Sequence, residues 1–116
     1  MGAKTDRELI YRQAMMDEIR RLIEKEADFA EKNRKSFRDD GDVIGPLEEE
    51  YREAKGEMYD FRSVMKTWMN ETFVDDQTFN KERFDTMFKV SIRWAMEVIQ
   101  CGAVALKALH QSKNWE

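Results

Sequence analysis

Between Lys89 and Lys107 the chain is apolar on almost every side of the helix that its spacing describes. Val90, Ile92, Trp94, Ala95, Met96, Val98, Ile99, Cys101, Ala103, Val104 and Leu106 leave no continuous polar face. A helix of this kind is stable only with neighbours around it, which makes it the centre of a helical bundle. The polar residues inside the span are Ser91, Arg93, Glu97 and Gln100. The last three are spaced by four and three and share one face. A carboxylate on a central helix needs a partner, because an unpaired buried charge is very costly. Two readings follow. Glu97 pairs with Arg93 one turn away as a structural ion pair, or it faces a metal or a polar cleft.

The rest of the chain supplies the neighbours. A first helix is expected from about Asp6 to Ser36, with Thr5 and Glu8 placed as a capping box. Its apolar positions are Leu9, Met16, Ile19, Ile23 and Ala30. The segment Arg38 to Pro46 carries two glycines and the only proline, and reads as a connection. A second helix is expected from about Leu47 to Asn70. Its seam is Leu47, Tyr51, Ala54, Met58, Phe61, Met65 and Trp68. Gly56 costs about 1 kcal/mol there relative to alanine, a cost that close approach of another helix would offset. Glu71 to Phe79 is polar, with a turn at Asp75 or Asp76, and Asn80 is placed to cap a third helix that runs to about Gln111.

The fold class is therefore all-α: one domain over residues 1–116, an antiparallel bundle of three to four long helices. Either the first helix breaks in two, or dimerisation completes the core. The apolar surface left over favours a homo-oligomer, a dimer or tetramer. With one proline and five glycines, turns are too few for a β-sandwich. A net charge of -4 argues against a nucleic-acid polymer as partner. No stretch reaches membrane-spanning length, and MGAKTDRELIYRQ has no apolar signal core. A single cysteine forms no internal disulfide, so a cytoplasmic, reducing compartment is expected.

The second helix also carries a row of acids. At about 100° per residue, Glu50, Glu53 and Glu57 fall on one flank of the seam, Glu48 and Lys55 on the other, and Glu49 nearly opposite it. Neither Glu50 nor Glu53 has a basic residue four positions later, so the row lacks neutralisation within the helix. The ordinary reading is a solvated helix edge. The chemical one is a metal site, because carboxylates three apart on facing helices are how bundles hold divalent cations. Oxygen ligands of this type suit Mg²⁺ or Mn²⁺.

Glu49-Glu50-Tyr51-Arg52-Glu53 (EEYRE) matches the EExxE pattern of the MazG-like, all-α nucleoside triphosphate pyrophosphohydrolases. The later segment Glu97 to Ala105 (EVIQCGAVA) sits where that family has ExxD, and is similar to a phage-associated branch with Glu-x-x-Gln followed by small apolar residues. The resemblance covers mainly residues 44–109. It implies Mg²⁺-dependent cleavage of a nucleoside triphosphate between the α and β phosphorus atoms. By the same resemblance Glu50, Glu53 and Glu97 are metal ligands, and Gln100 stands in place of the family's aspartate. A carboxylate outside the ligand set, Glu49 or Glu57, would accept a proton from water; the angle arithmetic points Glu49 towards solvent. Two features depart from the family. Gln100 is neutral, and the stretch between the motifs, Ala54 to Met96, is longer. The alternative is a catalytically inactive module that keeps the fold for oligomerisation or partner binding.

Other residues are weighed on local grounds. Lys32, Lys35 and Arg38 would meet a triphosphate if the first helix borders the cleft, and Arg93 would do so from the third. Trp68 and Trp94 read as packing groups rather than base-stacking platforms. Trp115 lies near the end of the sequence and is expected to be mobile. Gly102 and Ala103 allow close helix approach.

Overall fold

The computed structural model describes residues 5–73 and 81–115. The expected turn at Asp75 or Asp76 and the Asn80 cap lie outside them. Three helices make up the fold: α1 (Asp6–Asn33), α2 (Asp40–Phe73) and α3 (Lys81–Gln111), followed by a single 3-10 turn (Ser112–Asn114). Among the described residues there is no strand.

α1 begins as its sequence dictates. Thr5 Oγ1 accepts from the Glu8 N–H at 3.2 Å, and Glu8 Oε2 accepts from the Thr5 N–H at 3.0 Å, closing the capping box. The helix is unbroken, so the fold has three helices and not four. It ends at Asn33, a turn before Ser36.

α2 departs most from expectation. It starts at Asp40, through the segment that reads as a connection. Asp39 nucleates it: its Oδ1 accepts from the Asp42 N–H at 3.1 Å, as an N-terminal cap does. Asp40 and Asp42 then sit at the positive end of the helix dipole. Pro46 lies inside the helix, where its missing N–H leaves the Asp42 carbonyl without its intrahelical donor. These local contacts outweigh the two glycines and the proline.

α3 is central. α1 and α2 each pack on it and, among the described residues, not on each other. Phe61 against Trp94 and Trp68 against Phe84, both with ring centroids 5.9 Å apart, register α2 antiparallel to α3. Contacts between α1 and α3 advance together, from Ile23 against Gly102 to Glu31 against His110, so these two run parallel. Gly102 makes the approach possible: a Cβ there would lie 2.8 Å from Ile23 Cδ1. Gly56, by contrast, has open space around it, and its helical cost is not offset by a neighbour.

The short connection from α1 to α2 is pinned to the end of α3. Phe37 is buried; its N–H donates to Gln111 Oε1 at 2.7 Å, and its carbonyl accepts from Trp115 Nε1 at 3.2 Å. Trp115 is therefore anchored and not free, because its indole N–H finds a carbonyl at the foot of α3. The result is a cleft between α1 and α2, floored by α3 and closed at one end by residues 34–37.

Candidate functional site

The cleft has a volume of about 430 Å³. Glu49, Glu50 and Pro46 of α2, Gln100, Val104 and Lys107 of α3, and Glu26 and Ala30 of α1 line it, with Arg34 to Phe37 at the closed end.

Glu50, Glu53 and Glu97 converge. One carboxylate oxygen from each lies within 4.8 Å of the others, close enough to share one cation. Glu50 and Glu97 are half-buried and Glu53 is exposed. Helical phase explains the convergence. Glu50 and Glu53 are three apart on α2, and the antiparallel register brings Glu97 of α3 against them. Gln100, one turn after Glu97, completes the group. With its amide nitrogen turned inward it donates to Glu50 Oε2 at 3.0 Å and to Glu97 Oε2 at 2.9 Å; this orientation is assigned from the hydrogen bonds it satisfies.

Crowding of acids raises their proton affinity. Burial pushes Glu97 up to about 7, and the hydrogen bond and charge of Glu53, with the charge of Glu50, add to it. Burial also raises Glu50, helped by the charges of Glu53 and Glu49 and opposed by the hydrogen bond with Glu97. Glu97 therefore keeps its proton to a higher pH than an ordinary carboxyl does. Cys101, beside it, is held as a thiol by burial first and then by Glu50 and Glu97, so it is not an activated nucleophile.

Arg93 does not pair with Glu97. Its Nε donates to Glu57 across the α2–α3 interface, at 3.1 Å to Oε2. The local ion pair that would have explained Glu97 is thus absent, and Glu57 carries its own counter-ion. Glu49 lines the cleft wall, although its helical angle points away from the seam. Glu49 remains exposed to solvent there. Of the basic residues singled out, Lys35 lines the cleft. Lys32 pairs with Asp28 at 3.0 Å, Arg38 with Asp42 at 3.1 Å, and Arg93 with Glu57.

Sequence reasoning missed Arg34 and Lys107. The signal for Lys107 was present: it lies seven residues after Gln100, on the same face as Arg93 and Glu97. Arg34 becomes a cleft residue only because α1 stops at Asn33. Comparison with protein-family models, with curated proteins and with solved structures finds no match to this chain.

Proposed function

We propose that this chain is a divalent-metal-dependent nucleoside triphosphate pyrophosphohydrolase, releasing a nucleoside monophosphate and pyrophosphate. The convergence of Glu50, Glu53 and Glu97 within 4.8 Å, on the edge of a cleft that also presents Arg34, Lys35 and Lys107, carries the proposal. The donor set fits Mg²⁺ or Mn²⁺: three hard carboxylates, with the amide oxygen of Gln100 as a fourth donor after a half-turn of its amide. Burial first, and then the neighbouring acids Glu53 and Glu50, raise Glu97, and a bound cation offsets both. When bound, the metal supplies positive charge for phosphoryl oxygens and lowers the pKa of water.

The chain's own residues supply the rest. Glu49, on the cleft wall and outside the three-carboxylate set, takes the proton of the water that attacks the α phosphorus. The bond from that phosphorus to its β-bridging oxygen breaks, and the oxygen leaves with pyrophosphate. Glu57 is the weaker base, since Arg93 holds it. Cations at the closed end draw the triphosphate into the cleft.

A second reading is favoured by one observation. Gln100 donates to both Glu50 and Glu97, which satisfies those carboxylates without a cation. A helical module that has kept the fold and lost the chemistry would look the same. Pyrophosphate release separates the two. Purified protein with Mg²⁺ is mixed with each common nucleoside triphosphate and deoxynucleoside triphosphate, with inorganic pyrophosphatase to report. Metal-dependent release that Glu53→Ala abolishes supports the enzyme. Its absence from well-folded wild type favours the inactive module.

The proposal includes assembly into a homo-oligomer, dimer or tetramer, supported by Phe88 and Ile92 on α3 and Leu9 and Met16 on α1, all at least half exposed. No described helix is long and apolar enough to cross a membrane. The lone cysteine and the nucleotide chemistry support a cytoplasmic setting.

A further inference from the structure

Among the described residues Lys107 is the one charged side chain that is almost wholly buried, at 2% exposure. Its partners are neutral. Nζ donates to the Lys35 carbonyl at 2.7 Å and lies 4.2 Å from the centre of the Phe37 ring. Neither Lys107 nor Arg34 forms an ion pair with a described carboxylate, and the nearby acid Glu31 is bonded to His110 Nδ1 at 2.9 Å. Burial lowers the proton affinity of the Lys107 amine, the adjacent charge of Arg34 lowers it further, and the charge of Glu31 opposes them without reversing the shift. A buried ammonium without a counter-ion is costly, and a second cation beside it adds to the cost. Both costs fall if an anion enters the cleft.

The place of this cation pair matters. Lys107 is seven residues beyond Gln100, about 10 Å along α3. Arg34 is eight residues beyond Glu26, about 12 Å along the direction of α1. Asp42, which lines the cleft from the first turn of α2, is paired with Arg38 at 3.1 Å. The cleft therefore has an acidic end and a basic end. A single phosphate cannot touch both; a chain of phosphates can.

We propose that Arg34 and Lys107, with Lys35 at the rim, form an anion subsite that holds the terminal phosphate of a polyphosphate chain without the help of metal. The subsite rests on reading the same cleft as a nucleotide site, and it fixes the direction of the ligand. The terminal phosphate enters the closed end, and the bond to be cut lies near the carboxylates. Arginine and lysine are suited to this task, and the adjoining Phe37 ring keeps water from the amine.

Calorimetric titration of inorganic tripolyphosphate into the full chain, in EDTA, tests the subsite. Wild type should bind. Arg34→Gln should bind at least tenfold more weakly; Arg34 is exposed and its side chain makes no hydrogen bond, so this variant keeps the fold, which circular dichroism checks. The distant Arg20→Gln should bind as wild type does. The subsite is overturned if wild type does not bind in EDTA, if Arg34→Gln binds equally well, or if Arg20→Gln weakens binding as much. The catalytic proposal fails separately. Arg34-dependent binding without pyrophosphate release in Mg²⁺ keeps the subsite and removes the enzyme. Turnover whose KM is unmoved in Arg34→Gln does the reverse.

Discussion

Glu97 bears most of the electrostatic cost of the carboxylate cluster. Its folded-state pKa, about 7, lies above its unfolded value of 4.5. A carboxyl raised in this way favours the folded state fully below pH 4.5, and that contribution is lost as pH climbs through 7. Metal-free protein should therefore melt at a lower temperature at pH 8 than at pH 5.5, other groups being equal. Adding Mg²⁺ should raise the melting temperature more at pH 8, where the cation need not displace a proton. In Glu97→Gln the pH dependence should flatten and the Mg²⁺ gain should shrink. Equal Mg²⁺ stabilisation of wild type and Glu97→Gln would count against metal binding at this cluster. Helical phase put Glu50, Glu53 and Glu57 in one row and Glu97 on a central helix; the family resemblance, not the phase, singled out the three that converge. The partner of Arg93 was not legible. Glu97 is its neighbour in sequence, but α2 brings Glu57 nearer, and only packing decides between them. Lys107 was overlooked because a lysine at the edge of an apolar run looks like its boundary.

At the scale of elements, small residues on α3 set how near the helices come. Ala103 of α3 is buried, as are Ala27 of α1 and Ala54 of α2. Gly102 and Gly56 make a matched pair. Gly102→Ala would place a methyl 2.8 Å from Ile23 Cδ1 and 3.2 Å from its Cγ1, so the Ile23 side chain or α1 itself must give way. Overpacking of this kind costs about 1–3 kcal/mol. Gly56→Ala meets nothing and should gain up to about 1 kcal/mol from helix propensity. Urea denaturation should rank Gly56→Ala above wild type and Gly102→Ala below it, with Ile23→Val partly rescuing the latter. If both glycine variants gain equally, the close approach of α1 and α3 is wrong. The helices themselves were readable from apolar spacing and the capping box. The start of α2 was not: glycine and proline punctuation is a weaker signal than the Asp39 cap and the Arg38–Asp42 pair, which are visible only in three dimensions.

The whole molecule is extended for its length. Its radius of gyration is 18.9 Å, against about 13 Å for a compact chain of this length. Its accessible surface is 9372 Å², against about 6,700 Å² expected for a monomer of this mass. The excess, about 2,700 Å², is of the size that one subunit of an obligate dimer or larger assembly buries. Among the described residues no large side chain is fully buried, while Phe88 is 65% and Ile92 56% exposed on α3. Light scattering after gel filtration should therefore give a mass of at least twice 13.9 kDa. Phe88→Lys with Ile92→Lys should lower it to one subunit or leave an unstable chain. A stable wild-type monomer at micromolar concentration would refute assembly. Surplus apolar surface was visible in the sequence, but which faces carry it was not, because that depends on where α1 leaves α3.

The central claim is that this cleft cuts a nucleoside triphosphate between the α and β phosphorus atoms. Phosphorus-31 NMR of wild-type protein with the common triphosphates and Mg²⁺ tests it most directly, because it reports which bond breaks. The account predicts that nucleoside monophosphate and pyrophosphate resonances rise in equal amounts, and that neither rises with Glu53→Ala. Nucleoside diphosphate with orthophosphate, or spectra that do not change in the presence of folded protein and metal, would contradict it.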